Sequence, residues 1–98
     1  MIRTFRDLGT EDIFNAHNSR RARQTCPTTI WGVARRKLEL LDSVGALADL
    51  RIPPANRLET LKKDRRGQHS IRVNDQYRIC FVWTELGPAQ VEIDDYHD

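Results

Sequence analysis

The apolar positions of this chain change period part-way along it. Between Pro27 and Gly45, the residues Ile30, Ala34, Leu38, Leu41 and Val44 recur at i, i+4, i+8, i+11 and i+14, a single apolar stripe on a helix. Pro27-Thr28-Thr29 opens that helix, and Gly45 is its natural stop. Arg35, Arg36, Lys37 and Glu39 take the outer face, and Trp31 beside the stripe reads as a packing residue. A brief turn over Leu47–Leu50 follows, and Pro53-Pro54 forbids further helix. Beyond this point the period is 2. Leu58–Lys62, Gln68–Val73, Tyr77–Trp83 and Ala89–Tyr96 are predicted strands, separated by turns at Lys63–Gly67, Asn74–Gln76 and Glu85–Pro88. Ahead of the long helix, Met1–Arg6 alternates weakly as a strand. Gly9-Thr10 before Glu11 and Asp12 predicts the N-cap of a short helix through Ile13, Phe14 and His17. Residues 18–29 are polar, basic and interrupted by Pro27, and read as a loop.

Parity fixes the sheet further. Ile71 and Val73 must face the same core as Tyr77, Ile79, Phe81 and Trp83. Only an odd-length turn, Asn74 to Gln76, pairs Val73 with Tyr77 and Ile71 with Ile79. That register places Ser70, Arg72 and Arg78 on the opposite face. In the last strand Val91 and Ile93 point to the core, so Glu92, Asp94 and Tyr96 join Arg78. The predicted architecture is α+β: an N-terminal strand and two helices on one face of an antiparallel sheet of four to five strands.

Composition narrows the function. Ninety-eight residues make one domain over 1–98, with a modest core and any active site at the surface. No apolar run approaches the ~20 residues of a spanning helix. The N-terminus shows no secretory h-region, and Cys26 and Cys80 match no redox or metal spacing, so a cytoplasmic protein is expected. The net charge of +2 conceals an asymmetry: residues 51–78 carry eight Lys or Arg against three acids, and residues 79–98 carry five acids and no base. Thirteen of the sixteen basic residues are arginine, whose planar fork suits phosphate. A basic segment of this kind points to a polyanionic partner.

The stretch 56–62 (NRLETLK) followed by 67–83 (GQHSIRVNDQYRICFVW) and the ending 91–97 (VEIDDYH) resembles the HigB-type plasmid-maintenance killer toxins of the RelE superfamily. With 38–54 included, the likeness covers about two-thirds of the chain. The family order of strand, helices and antiparallel sheet agrees with the periodicity. The resemblance implies a ribosome-dependent, metal-independent endoribonuclease that inhibits translation by cutting mRNA in the aminoacyl site, with no cofactor. Its cognate partner would be a HigA-like helix-turn-helix antitoxin, and operator DNA would be contacted only through the antitoxin complex. Its other partners would be the 70S ribosome and mRNA.

In that chemistry the ribose 2′-hydroxyl attacks the adjacent phosphate, which calls for a base, a cation for the phosphorane charge and an acid for the leaving 5′-oxygen. By resemblance Arg78 is the charge stabiliser, against an ion pair to Glu92 or Asp94. Lys62 adds positive potential, against an ordinary surface lysine. Tyr96 stacks on a base or positions the phosphate, against packing at a strand end. His97 is the proton carrier, oriented by Asp95, although strict alternation turns both away from Tyr96 unless the strand end twists or bulges. Some relatives carry a histidine three residues before the matching lysine. Here that position is Glu59, a carboxylate candidate for the general base, against a pairing with Arg57 or Lys63. Arg57, Lys63, Arg65, Arg66 and Arg72 complete the expected RNA-binding surface. His69 and His17 read as structural.

Other chemistries lack support. No glycine-rich loop follows a strand, and the histidines and cysteines form no zinc constellation. A Ser70-centred triad lacks a nucleophile elbow. The competing readings are a non-catalytic basic RNA- or ribosome-binding module, for which residues 51–78 would suffice, and a protein whose helices serve only for docking.

Overall fold

A computed structural model describes residues 1–95. Helices α1 (Leu8–Phe14), α2 (Arg20–Thr25) and α3 (Trp31–Ser43) precede strands β1 (Glu59–Thr60), β2 (Gln68–Arg72), β3 (Arg78–Thr84) and β4 (Gly87–Asp94). The strands form one antiparallel sheet in the order β1-β2-β3-β4. Short 3-10 turns at Leu47–Arg51, Pro54–Asn56 and Lys63–Arg65 fill the connections.

The apolar stripe of α3 is the anchor of the helical layer. Ala34, Leu38 and Leu41 are completely buried, and the helix stops at Ser43, with Val44 already extended. They meet Ile71, Ile79, Phe81, Val91 and Ile93 from one face of the sheet. Each large apolar side chain so buried contributes about 1.5–3 kcal/mol. The β2–β3 register has the expected parity: Ile71 opposes Ile79, and the Val73 amide donates to the Tyr77 carbonyl at 3.0 Å. Asn74 accepts from the amides of Gln76 and Tyr77 and closes the turn.

Several expectations are corrected. The 18–29 segment is not a loop throughout. The Ser19 hydroxyl accepts from the Ala22 amide and caps α2, giving three helices rather than two. Ala22 and Cys26 are buried beneath it. The cap of α1 is Asp7, not Gly9-Thr10, its carboxylate accepting from the Thr10 amide at 2.7 Å. Strand β1 spans two residues rather than Leu58–Lys62; left-handed residues bracket it, Arg57 at φ +47° before it and Lys63 at φ +55° after it.

The N-terminal residues form no full strand. They run parallel to β4 as a strap, with one bridge between Phe5 and Val91. Arg3 donates to the Pro88 carbonyl, Val91 to the Thr4 carbonyl and Arg6 to the Val91 carbonyl. Gln90, at φ +52°, makes the bulge in β4 opposite β3. Past the bulge, the buried Thr10 hydroxyl accepts from the Ile93 amide at 3.0 Å, so α1 takes over the edge where the strap leaves it.

One buried polar cluster locks α1 to α2. Asp12 accepts from the Ser19 hydroxyl at 2.6 Å and from Arg21 Nε at 2.5 Å. These bonds, the Arg21 bond foremost, hold its carboxyl well below the usual carboxylate range.

Candidate active site

The second face of the sheet faces away from the helices and carries the chemistry. Glu59, Ser70, Cys80 and Glu92 line up across the four strands, each the Cα partner of the next. The adjacent row is Arg72, Arg78 and Asp94. This face is not simply solvated, since Ser70 and Cys80 are fully buried. Arginines lie over these small residues. Arg78 Nη1 donates to the Ser70 hydroxyl at 3.4 Å, and its Nη2 faces Glu59 Oε1 at 3.3 Å. Arg65 reaches in from the β1–β2 connection and donates to Gln68 at 3.1 Å, to Glu92 at 3.4 Å and to Asp94. Arg6 from the strap also pairs with Glu92, at 3.1 Å. Burial pushes the Cys80 thiol up to about 11, so it sits beneath this charged layer as a neutral group.

The ion pair expected between Arg78 and Glu92 or Asp94 is therefore not the one that forms. Asp94 is the Cα partner of Arg78, yet its carboxylate is taken by Arg65, and Arg78 turns the other way to Glu59. Glu59 correspondingly pairs with neither Arg57 nor Lys63. A carboxylate and a guanidinium thus stand together on an open face. The Glu59 side chain is 34% exposed and Arg78 18%. Such a pair offers a proton acceptor and a fixed cation side by side, the equipment for proton abstraction next to a phosphate.

Residues 3–98 match the sequence model of the RelE-like toxin of the type II toxin–antitoxin system HigB. The chain belongs to the HigB-like toxins. It is 41% identical over 85 residues to Toxin HigB-1 of Vibrio cholerae, covering 87% of this chain and 86% of that one. An uncharacterized protein of Haemophilus influenzae is 42% identical over 57 residues, 58% of this chain and 56% of the other. The fold is similar to that of a chain in the YoeB–YefM complex from Staphylococcus aureus. That match has a TM-score of 0.59 at 16% identity, over 100% of this chain and 99% of that one.

Among the described residues, the others predicted for the site of this HigB-like toxin are spread around the Glu59–Arg78 pair rather than gathered on it. Lys62, Lys63 and Arg66 are exposed along the β1–β2 connection, and Arg57 is exposed with a left-handed φ of +47° just before β1. Arg72 is drawn to its own turn, donating to the Asn74 carbonyl at 3.0 Å and to Asp75. Asp95 accepts from Gln76 Nε2 at 3.0 Å, beside the β2–β3 turn. Tyr96 and His97 lie outside the described residues. His69, expected to be structural, packs on Phe81 with ring centroids 6.0 Å apart, its Nδ1 3.2 Å from the Thr60 hydroxyl. Burial lowers its pKa. His17 is exposed and 3.6 Å from Asp12, just past the end of α1.

Sequence reasoning passed over Ser70 as part of this site. Its signal was a small hydroxyl residue, between Glu59 and Arg78 in register, on the face assigned to polar chemistry. Among the described residues no His, Cys, Asp and Glu cluster could hold a metal. No helix there is long and apolar enough to cross a membrane.

Proposed function

We propose that this toxin is a ribosome-dependent endoribonuclease that cuts mRNA in the aminoacyl site without a metal. The observation that carries the reading is the 3.3 Å pairing of Glu59 with Arg78 on the open polar face of the sheet. Glu59 takes the proton of a ribose 2′-hydroxyl. The 2′-oxygen then attacks the adjacent phosphorus, the P–O5′ bond breaks, and a 2′,3′-cyclic phosphate and a 5′-hydroxyl end remain. Arg78 stabilises the charge that builds on the phosphorane oxygens. His97, with Asp95 orienting it, is the candidate donor to the leaving 5′-oxygen. Tyr96 stacks on a displaced base.

Lys62 raises the positive potential at the phosphate. Arg57, Lys63, Arg65, Arg66 and Arg72 hold the RNA backbone around it, and a contact set of this kind makes binding salt-dependent. The toxin acts in the cytoplasm, where the ribosome and mRNA are. Its restraining partner is a HigA-like antitoxin with a helix-turn-helix domain, which supplies the operator-DNA contacts of the complex.

The test separates chemistry from binding. Glu59→Gln and Arg78→Ala are expressed in cells without antitoxin, and ribosome co-sedimentation is measured in parallel. Both variants are expected to lose growth arrest, with cleavage down about 100-fold or more, while still co-sedimenting with ribosomes. Loss of co-sedimentation together with growth arrest in both would overturn the catalytic assignment and favour a non-catalytic RNA-binding module.

A further inference from the structure

Arg78 meets Glu59 across an intervening strand. Glu59 is on β1 and Arg78 on β3, and β2 lies between them. Strands are spaced about 4.8 Å apart, so the guanidinium must lie flat over β2 to cover the distance. The residue it crosses is Ser70, the register partner of both Glu59 and Cys80. Ser70 is completely buried, and its hydroxyl accepts from Nη1 while Nη2 faces the carboxylate. A longer side chain at position 70 would fill the space through which the guanidinium passes. An alanine would leave the space open and remove the acceptor.

We propose that Ser70 is a positioning residue for the cleavage, one that keeps Arg78 in place when Glu59 can no longer do so. This rests on the function proposed above. Before reaction the guanidinium is held by an anion and by a hydroxyl. As Glu59 takes up the 2′-hydroxyl proton its negative charge is lost, and with it the main electrostatic hold on Arg78. At the same moment charge accumulates on the phosphorane, and the cation must not swing away from it. The Ser70 hydroxyl is neutral and buried, and its bond to Nη1 does not depend on the protonation state of Glu59. It therefore still holds the guanidinium as charge builds on the phosphorane, and a cation kept in place at that moment raises the rate.

The test is single-turnover cleavage of mRNA on programmed 70S ribosomes by the intact toxin. Ser70→Ala is expected to slow the chemical step about tenfold, the size of one hydrogen bond to a charged group. The ribosome concentration for half-maximal rate should stay close to wild type. Ser70→Ala is also made in an Arg78→Lys background, where it should change the rate less than twofold, because the group it positions is gone. A wild-type rate in Ser70→Ala would overturn the proposal. So would a loss that persists undiminished beside Arg78→Lys, or one matched by weaker ribosome binding. A wild-type toxin that cuts nothing on ribosomes would overturn the ribonuclease reading itself, and this one with it.

Discussion

Replacing Asn56 by alanine removes three hydrogen bonds from the join between the helical layer and the sheet. Asn56 is completely buried in the connection that leads into β1. Its Nδ2 donates to the carbonyls of Leu50 at 3.1 Å and Ile52 at 3.2 Å, and its Oδ1 accepts from Lys37 on α3. Burial lowers the Lys37 pKa, which fits an ammonium that relies on this partner. A buried acceptor left without its donor costs about 1–3 kcal/mol, and water reaches the Ile52 carbonyl more readily than that of Leu50. With Lys37 free to turn to solvent, the total is about 2–4 kcal/mol. A chain of this length has about 5–15 kcal/mol of stability, and 1 kcal/mol moves its midpoint by about 4–8 °C, so Asn56→Ala should lower Tm by about 10–25 °C. Urea unfolding followed by the fluorescence of Trp31 and Trp83 measures the change directly. Asn56→Asp keeps an acceptor for Lys37 but offers the two carbonyls no donor, and should be nearly as damaging. A shift below about 0.5 kcal/mol at unchanged m would mean instead that water serves these carbonyls as well as the amide does, and that Asn56 is not a structural tie.

Three further outcomes follow from other parts of the molecule. Because Asp12 titrates lower in the folded chain than in the unfolded one, its contribution is complete above about pH 4 and is lost as pH falls below that. Urea midpoints at pH 7 and pH 3 should therefore differ less in Asp12→Asn than in wild type. Gly9 lies where α1 crosses α2, and a Cβ there would come within 2.0 Å of the Thr25 hydroxyl and 2.6 Å of the Arg21 carbonyl. Gly9→Ala should cost about 1–3 kcal/mol by prising the helices apart, and an unaltered Tm would contradict that packing. Burial pushes both Cys26 and Cys80 up to about 11, so neither should be alkylated by iodoacetamide at pH 8 until the chain is unfolded. Rapid modification of the folded protein would count against their placement.

Much of the fold was legible because its strongest constraints are periodic. The α3 stripe and the odd length of the Asn74–Gln76 turn each follow from counting positions, and the structure has both. Helix α2 escaped notice because six residues hold less than two turns. Its buried residue is the small Ala22, so an arginine-rich segment shows no stripe to count. The strap along β4 was read as a strand because alternation does not reveal whether a segment joins a ladder or only brushes its edge. In the site, parity placed Arg78 and Ser70 on the polar face together. It did not reveal the Glu59–Arg78 pair, because cross-strand rules concern adjacent strands and this contact spans three. Arg65 shows the same limit from the other side: its charge was visible in the sequence, but its hold on Glu92 and Asp94 depends on how the β1–β2 connection folds back.

What decides the function of this toxin is whether its Glu59–Arg78 face cleaves mRNA held by the ribosome. Primer extension on a defined mRNA, with purified toxin and with or without 70S ribosomes, tests it most directly. Cuts are expected within the aminoacyl-site codon only when ribosomes are present, and should disappear with Glu59→Gln or Arg78→Ala. Folded wild-type toxin that yields no cuts in either condition, or cuts that survive both substitutions, would contradict it.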